Sequence, residues 1–180
     1  MNALILSLVL GADPSVAAPA VAPVDPVAVK ARAALGPFKK SLKEALTTAM
    51  AKSPEAAVDV CSRDAPALAA RHSSAEVTLG RSAFKLRNPK NAPADWVKGA
   101  MEALAKEKSG SEASKVVPLE GGRVGYAEAI WVGAPCLVCH GEAVAPGLDA
   151  KLKAAYPQDA ARGFKLGDFR GVFWAELKTK

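Results

Sequence analysis

From Leu35 onward the apolar positions Leu35, Phe38, Leu42, Leu46 and Met50 recur at three- and four-residue intervals, the spacing of one buried face on an α-helix. Gly36-Pro37 inside that stripe marks a late start or a kink. Ser53-Pro54 is a helix start signal with Pro at the first helical position, and a second stripe follows through Ala57, Val58, Cys61, Ala65, Leu68 and His72. Cys61 is therefore expected on the buried face of a helix. After Ala75 the pattern changes, and Val77, Leu79 and Gly80-Arg81-Ser82 predict a short strand. Residues 87–93, with two Asn and two Pro in seven positions, form a loop on turn chemistry alone. Trp96, Ala100 and Leu104 begin a third helix that fades into the polar segment 106–114. Strands are expected over 115–120 and 124–132, separated by the hairpin signal Gly121-Gly122. A compact turn over 135–141, a short helix over 148–155 and a last strand over 171–177 complete the chain. Helices come first and antiparallel strands later, so the fold class is α+β. No internal repeat is found.

The amino terminus adds a different signal. Residues 1–10, MNALILSLVL, form an apolar run followed by small residues and then by Pro14, Pro19, Pro23 and Pro26 among Ala and Val. The run resembles the hydrophobic segment of a signal peptide, although no Lys or Arg precedes it. A buried strand or helix end is the alternative, since the run is too short to span a bilayer. The expected organisation is a signal peptide over 1–20, an Ala/Pro-rich tether over 21–29 and one domain over 30–180, located outside the cytoplasm. No later segment is long enough to span a membrane after processing.

A length of 180 residues with 50% hydrophobic composition suits a single domain with an ordinary core. The net charge of +6 comes from 24 basic against 18 acidic residues spread along the chain. The densest basic group, Lys39, Lys40 and Lys43, sits on a helix as a solvated face does, and no aromatic residues interleave with a basic stripe. Nucleic acid is therefore not favoured as a partner.

The three cysteines are too few for a disulfide framework. Two of them stand in Cys136-Leu137-Val138-Cys139-His140, the C-x-x-C-H signature of c-type haem attachment. On one helical turn, thiols three residues apart can add to the two vinyl groups on one porphyrin edge, and the following imidazole of His140 is carried to the iron. Two other uses of the motif compete. Zinc would need further ligands, for which only Cys61 and His72 remain. A thioredoxin-like dithiol would need a long helix after the second Cys, which Gly141 and Pro146 interrupt. One covalent haem c is the reading that suits the motif and an exported chain.

The segments Gly80-Arg81-Ser82, Arg87-Asn88-Pro89 with Asn91 and Pro93, Trp96, Cys136 to Gly141, and Tyr156-Pro157 through Asp159-Ala160, Gly163-Phe164 and Gly167-Asp168 to Arg170-Gly171 resemble the PAS-like c-type haem domain family. Its members, of unknown function, occur in cyanobacteria and proteobacteria, alone or as extracytoplasmic input domains of histidine kinases and chemoreceptors. The resemblance covers residues 30–177. It implies a PAS-like antiparallel sheet flanked by N-terminal helices, one covalent haem, and a Cys thiolate as second axial ligand. The matching Cys is Cys61, for which a small buried core residue is the competing reading. Val97 departs from the acidic residue that often follows Trp96 in the family, and Pro135 directly precedes the first haem Cys.

Arg81 and Arg87 are candidates for the haem propionates, with loop bracing as the competing role. His72, Met50 and Met101 are weaker alternatives for the second axial position, against a helix-end cation for His72 and core packing for the methionines. Tyr156, Asp159, Asp168 and Arg170 are expected to fix the turns before the last strand, and Asn88 and Asn91 to hold their loop. The expected function is that of a monohaem redox or small-ligand sensing module whose output needs a separate signalling partner. A soluble electron carrier with a redox partner protein is the alternative, and an enzyme is not expected.

Overall fold

The computed structural model describes residues 25–179. The expected signal peptide over 1–20 lies outside this range. Helix α1 (Pro26–Lys52) starts at Pro26, capped by Asp25, whose carboxylate accepts the Val27 N–H at 2.7 Å. Residues 26–29, assigned to the tether on composition, are instead its first turn, and Ala28 is buried. The helix runs through Gly36-Pro37 as well. Pro37 and Ala33, the residue whose carbonyl loses its partner, are both exposed, so the lost bond falls on the solvent side of the helix.

Strands β1 (Val77–Ser82), β2 (Ser114–Leu119), β3 (Arg123–Trp131) and β4 (Phe169–Lys178) form one antiparallel sheet in the order β1-β4-β3-β2. The β2–β3 hairpin turns through Gly121 and Gly122, both in the left-handed region at φ +66° and +65°. Alternation along the strands divides the core between two faces. Leu35, Phe38 and Leu42 of α1 pack on one face against Leu79, Tyr126, Ala175 and Leu177. Val97, Met101 and Leu104 of α4 (Asp95–Leu104) cover the other, against Ala127 and Val172.

Beyond one end of the sheet the chain builds a smaller assembly. The expected second helix is three consecutive pieces: α2 (Pro54–Asp59), a π-helical turn Val60–Asp64, and α3 (Ala65–His72). The C-x-x-C-H segment folds as a 3₁₀ turn Ala134–Cys136 followed by α5 (Leu137–His140), and α6 (Pro146–Ala155) packs Leu148 and Leu152 on Val58 of α2. Among the described residues no helix is long and apolar enough to cross a membrane.

Candidate functional site

A cavity of about 600 Å³ opens between α1, the α2–α3 segment, the sheet end and the C-x-x-C-H turn. Cys136, Cys139, His140, Cys61, Arg81 and Arg87, separated in sequence by up to 79 positions (140 − 61), all line it. The remaining wall is largely apolar, including Leu42, Leu46, Met50, Val58, Leu86, Ile130, Leu152 and Phe173. Cys61 lies within the π turn. One extra residue per turn locally re-aims side chains, and such turns concentrate at functional positions.

His140 is held on three sides. Its Nδ1 lies 2.8 Å from the Ala161 carbonyl oxygen, which can only accept, so Nδ1 carries the proton and Nε2 keeps its lone pair. The edge of Phe164 meets the imidazole at 6.1 Å, and the Phe164 N–H donates to the His140 carbonyl at 2.9 Å. Burial, and then the nearby Arg170 and Arg87 charges, pull the His140 pKa down to about 3. The ring is thus neutral at physiological pH, the form that binds a metal. Burial likewise raises the Cys139 thiol, and burial followed by Cys61 pushes Tyr156 up to about 12.

Arg87, which lines the cavity, makes the contacts of the bracing role. Its Nε donates to Asp159 Oδ1 at 3.1 Å, and its Nη2 reaches the Cys139 carbonyl at 2.5 Å, the Ala161 carbonyl at 3.2 Å and Asp159 Oδ2 at 3.1 Å. Asp159 also takes Arg162 Nε at 2.6 Å and the Ala161 N–H at 2.9 Å. The network ties the C-x-x-C-H turn to the loop that supplies the His140 acceptor. The role expected for Asp159, a turn-fixing residue, is too narrow, since it is the hub of this network.

Arg170 was also expected to fix a turn, but it lines the cavity. Ile130 pairs with Gly171 and Trp131 with Phe169, which leaves Arg170 as the extra residue of a β-bulge that re-aims its side chain. The bulge depends on Gly171, at φ +148°, where a Cβ would lie 2.2 Å from the Ser82 carbonyl oxygen. Burial, and then Arg81 and Arg87, lower the Arg170 pKa to about 10. Among the described residues, Lys39, Lys43, Arg81, Arg87 and Arg170 line the cavity and no Asp or Glu does. Lys39 pairs with Glu128 and Arg87 with Asp159, whereas Lys43, Arg81 and Arg170 have no ion-pair partner among the described residues.

The other candidates separate cleanly. His72 Nε2 pairs with Ser41 Oγ at 3.1 Å, its ring lies 6.3 Å from Phe38, and it does not line the cavity. Met101 is buried on the far face of the sheet, whereas Met50 does line the cavity. Asn88 holds its loop by accepting the Lys90 N–H, and Asp168 holds its turn by accepting that of Lys165. Both Asn88 and Asn91 also reach the cavity wall. Among the described residues no group of three or more His, Cys, Asp or Glu side chains is placed to hold a metal ion, so no zinc cage is assembled. The four-residue α5 is also too short for a thioredoxin-like dithiol.

The family model described as Tll0287-like matches residues 25–177, and the chain belongs to that family. It shares its fold with the crystal structure of the cyanobacterial heme-protein Tll0287, at a TM-score of 0.60 and 24% identity over 87% of this chain and 98% of that one. A comparison with curated proteins found no match.

Proposed function

We propose that the chain is an extracytoplasmic, PAS-like protein that carries one covalent haem c and acts as a redox or small-ligand sensing module. One observation carries the reading: the C-x-x-C-H turn, a third thiol and an apolar wall meet in a single cavity whose charged lining, among the described residues, is all cationic. That chemistry fits a flat, apolar metalloporphyrin bearing two carboxylates. The haem protein Tll0287, which shares the fold, adds support.

Cys136 and Cys139 would hold the group covalently, His140 would offer Nε2 to the iron, and Cys61 would offer its thiolate. Arg81 and Arg170, which have no carboxylate partners among the described residues, would take the propionates with Arg87 beside them. The bound group supplies one-electron redox chemistry and an iron centre for small ligands. Cys61 would hold the iron from within the π turn, so loss of that bond would free the turn. That turn continues into α3, which packs Leu68 and Ala69 against the α1 and sheet core, so its displacement can reach a signalling partner. An electron carrier is the second reading, because the exposed Lys43 lines the cavity and stands where an acidic redox partner could approach.

Replacing Cys61 by Ser tests the ligand set. Thiolate features in the ferric optical and electron paramagnetic resonance spectra should vanish while covalent haem remains. Spectra identical to the parent would remove Cys61 from the iron and turn attention to Met50.

A further inference from the structure

The Ala161 carbonyl oxygen accepts two donors, His140 Nδ1 at 2.8 Å and Arg87 Nη2 at 3.2 Å. The residue is fully buried, and its own N–H is fixed on Asp159 Oδ1 at 2.9 Å. Asp159 and Arg87 therefore hold the same residue by its N–H and its C=O. We propose that Arg87 is a positioning residue that sets the strength of the His140 Nδ1–H bond, and through it the electron richness of the imidazole; this rests on the haem reading above.

A carbonyl that already accepts from a guanidinium has less electron density to offer a second donor. The bond from His140 is therefore weaker than it would be to a free carbonyl, and the ring keeps the character of a neutral imidazole rather than drifting toward imidazolate. With the group held by His140 and Cys61, an electron-poorer imidazole would raise the reduction potential that a thiolate alone would depress. Asp159 makes the arrangement specific. By taking Arg87 Nε on one oxygen and Nη2 on the other, it fixes the plane of the guanidinium and directs Nη2 at both Ala161 and Cys139. Arg162 pairs with the same carboxylate and has no bond to the Ala161 carbonyl, so it is an internal control for charge alone.

The test uses ¹⁵N-histidine-labelled holoprotein in its ferrous carbon monoxide complex, which is diamagnetic. The chain has two His, so the Nδ1–H resonance of His140 needs separating only from His72. Arg87→Lys keeps the charge but lacks the fork, and Arg87→Gln removes both. In each, the His140 Nδ1–H resonance should move downfield and the reduction potential should fall. Arg162→Gln should leave the resonance in place. An unmoved resonance in Arg87→Lys, or equal shifts in Arg87→Gln and Arg162→Gln, would overturn the proposal. A parent protein that carries no haem would instead overturn the haem reading itself.

Discussion

Replacing Asp159 by Asn preserves side-chain shape and removes the charge that balances two guanidinium groups. Arg87 is only 8% exposed and Asp159 4%, so the pair is buried on both sides. Removing one partner of such a pair leaves an uncompensated charge and costs about 3–5 kcal/mol. The Asn oxygen can still accept the Ala161 N–H and Arg162 retains Asp149 at 2.7 Å, which places the expected loss toward the lower end. For a domain of this size that corresponds to a fall in Tm of roughly 6–12 °C. Denaturant unfolding of the holoproteins, followed by far-ultraviolet circular dichroism, measures it. The exposed pair Lys165–Glu142, at 3.6 Å, is the control and should cost less than about 1 kcal/mol when broken. The difference should also depend on pH. Burial alone would raise the Asp159 carboxyl, but hydrogen bonds from Arg87, Arg162 and the Ala161 N–H outweigh it and hold the pKa below the usual carboxylate range. A depressed folded pKa contributes stability that is full above the unfolded value of about 3.9 and is lost as pH falls through the folded one. The gap between parent and Asp159→Asn should therefore narrow below about pH 4. A loss no larger than that of the surface control would refute the role of Asp159 as a hub.

Gly171→Ala should destabilise the fold by more than about 2 kcal/mol, because a Cβ there would meet the Ser82 carbonyl oxygen at 2.2 Å in a backbone conformation that side chains rarely adopt. The same unfolding assay reads it, and a loss within about 0.5 kcal/mol would show that the bulge relaxes freely. Mass spectrometry of protein from its native host should find the first ~12 to 20 residues removed. An intact Met1 in a cytoplasmic fraction would contradict export.

The elements were legible wherever hydrophobic period and punctuation agreed. Ser53-Pro54, Trp96 to Leu104 and Gly121-Gly122 each mark an observed helix or hairpin. The C-x-x-C-H motif was legible for the same reason, since its pattern is local. What the sequence concealed depends on distant partners or on one inserted residue. The stripe from Ala57 to His72 does not reveal that Val60–Asp64 is a π turn, because one extra residue barely shifts a helical pattern. Arg87 meets Asp159 across 72 positions, so a loop arginine could not be told from a ligand clamp. Arg170 enters the cavity through a bulge defined only by the pairing of β3 with β4. At the start of α1, Ala/Pro composition suggested a tether, yet Pro suits a first helical turn and Ala is a strong helix former.

The central claim, one haem bound through Cys136 and Cys139, is tested most directly by purifying the protein from cells that make c-type cytochromes and extracting it with acidified acetone. Mass spectrometry of the remaining polypeptide should find one haem on the peptide containing Cys136 to His140, and none in the Cys136→Ala, Cys139→Ala double variant. A peptide with both thiols unmodified, or haem retained covalently by the double variant, would contradict the account.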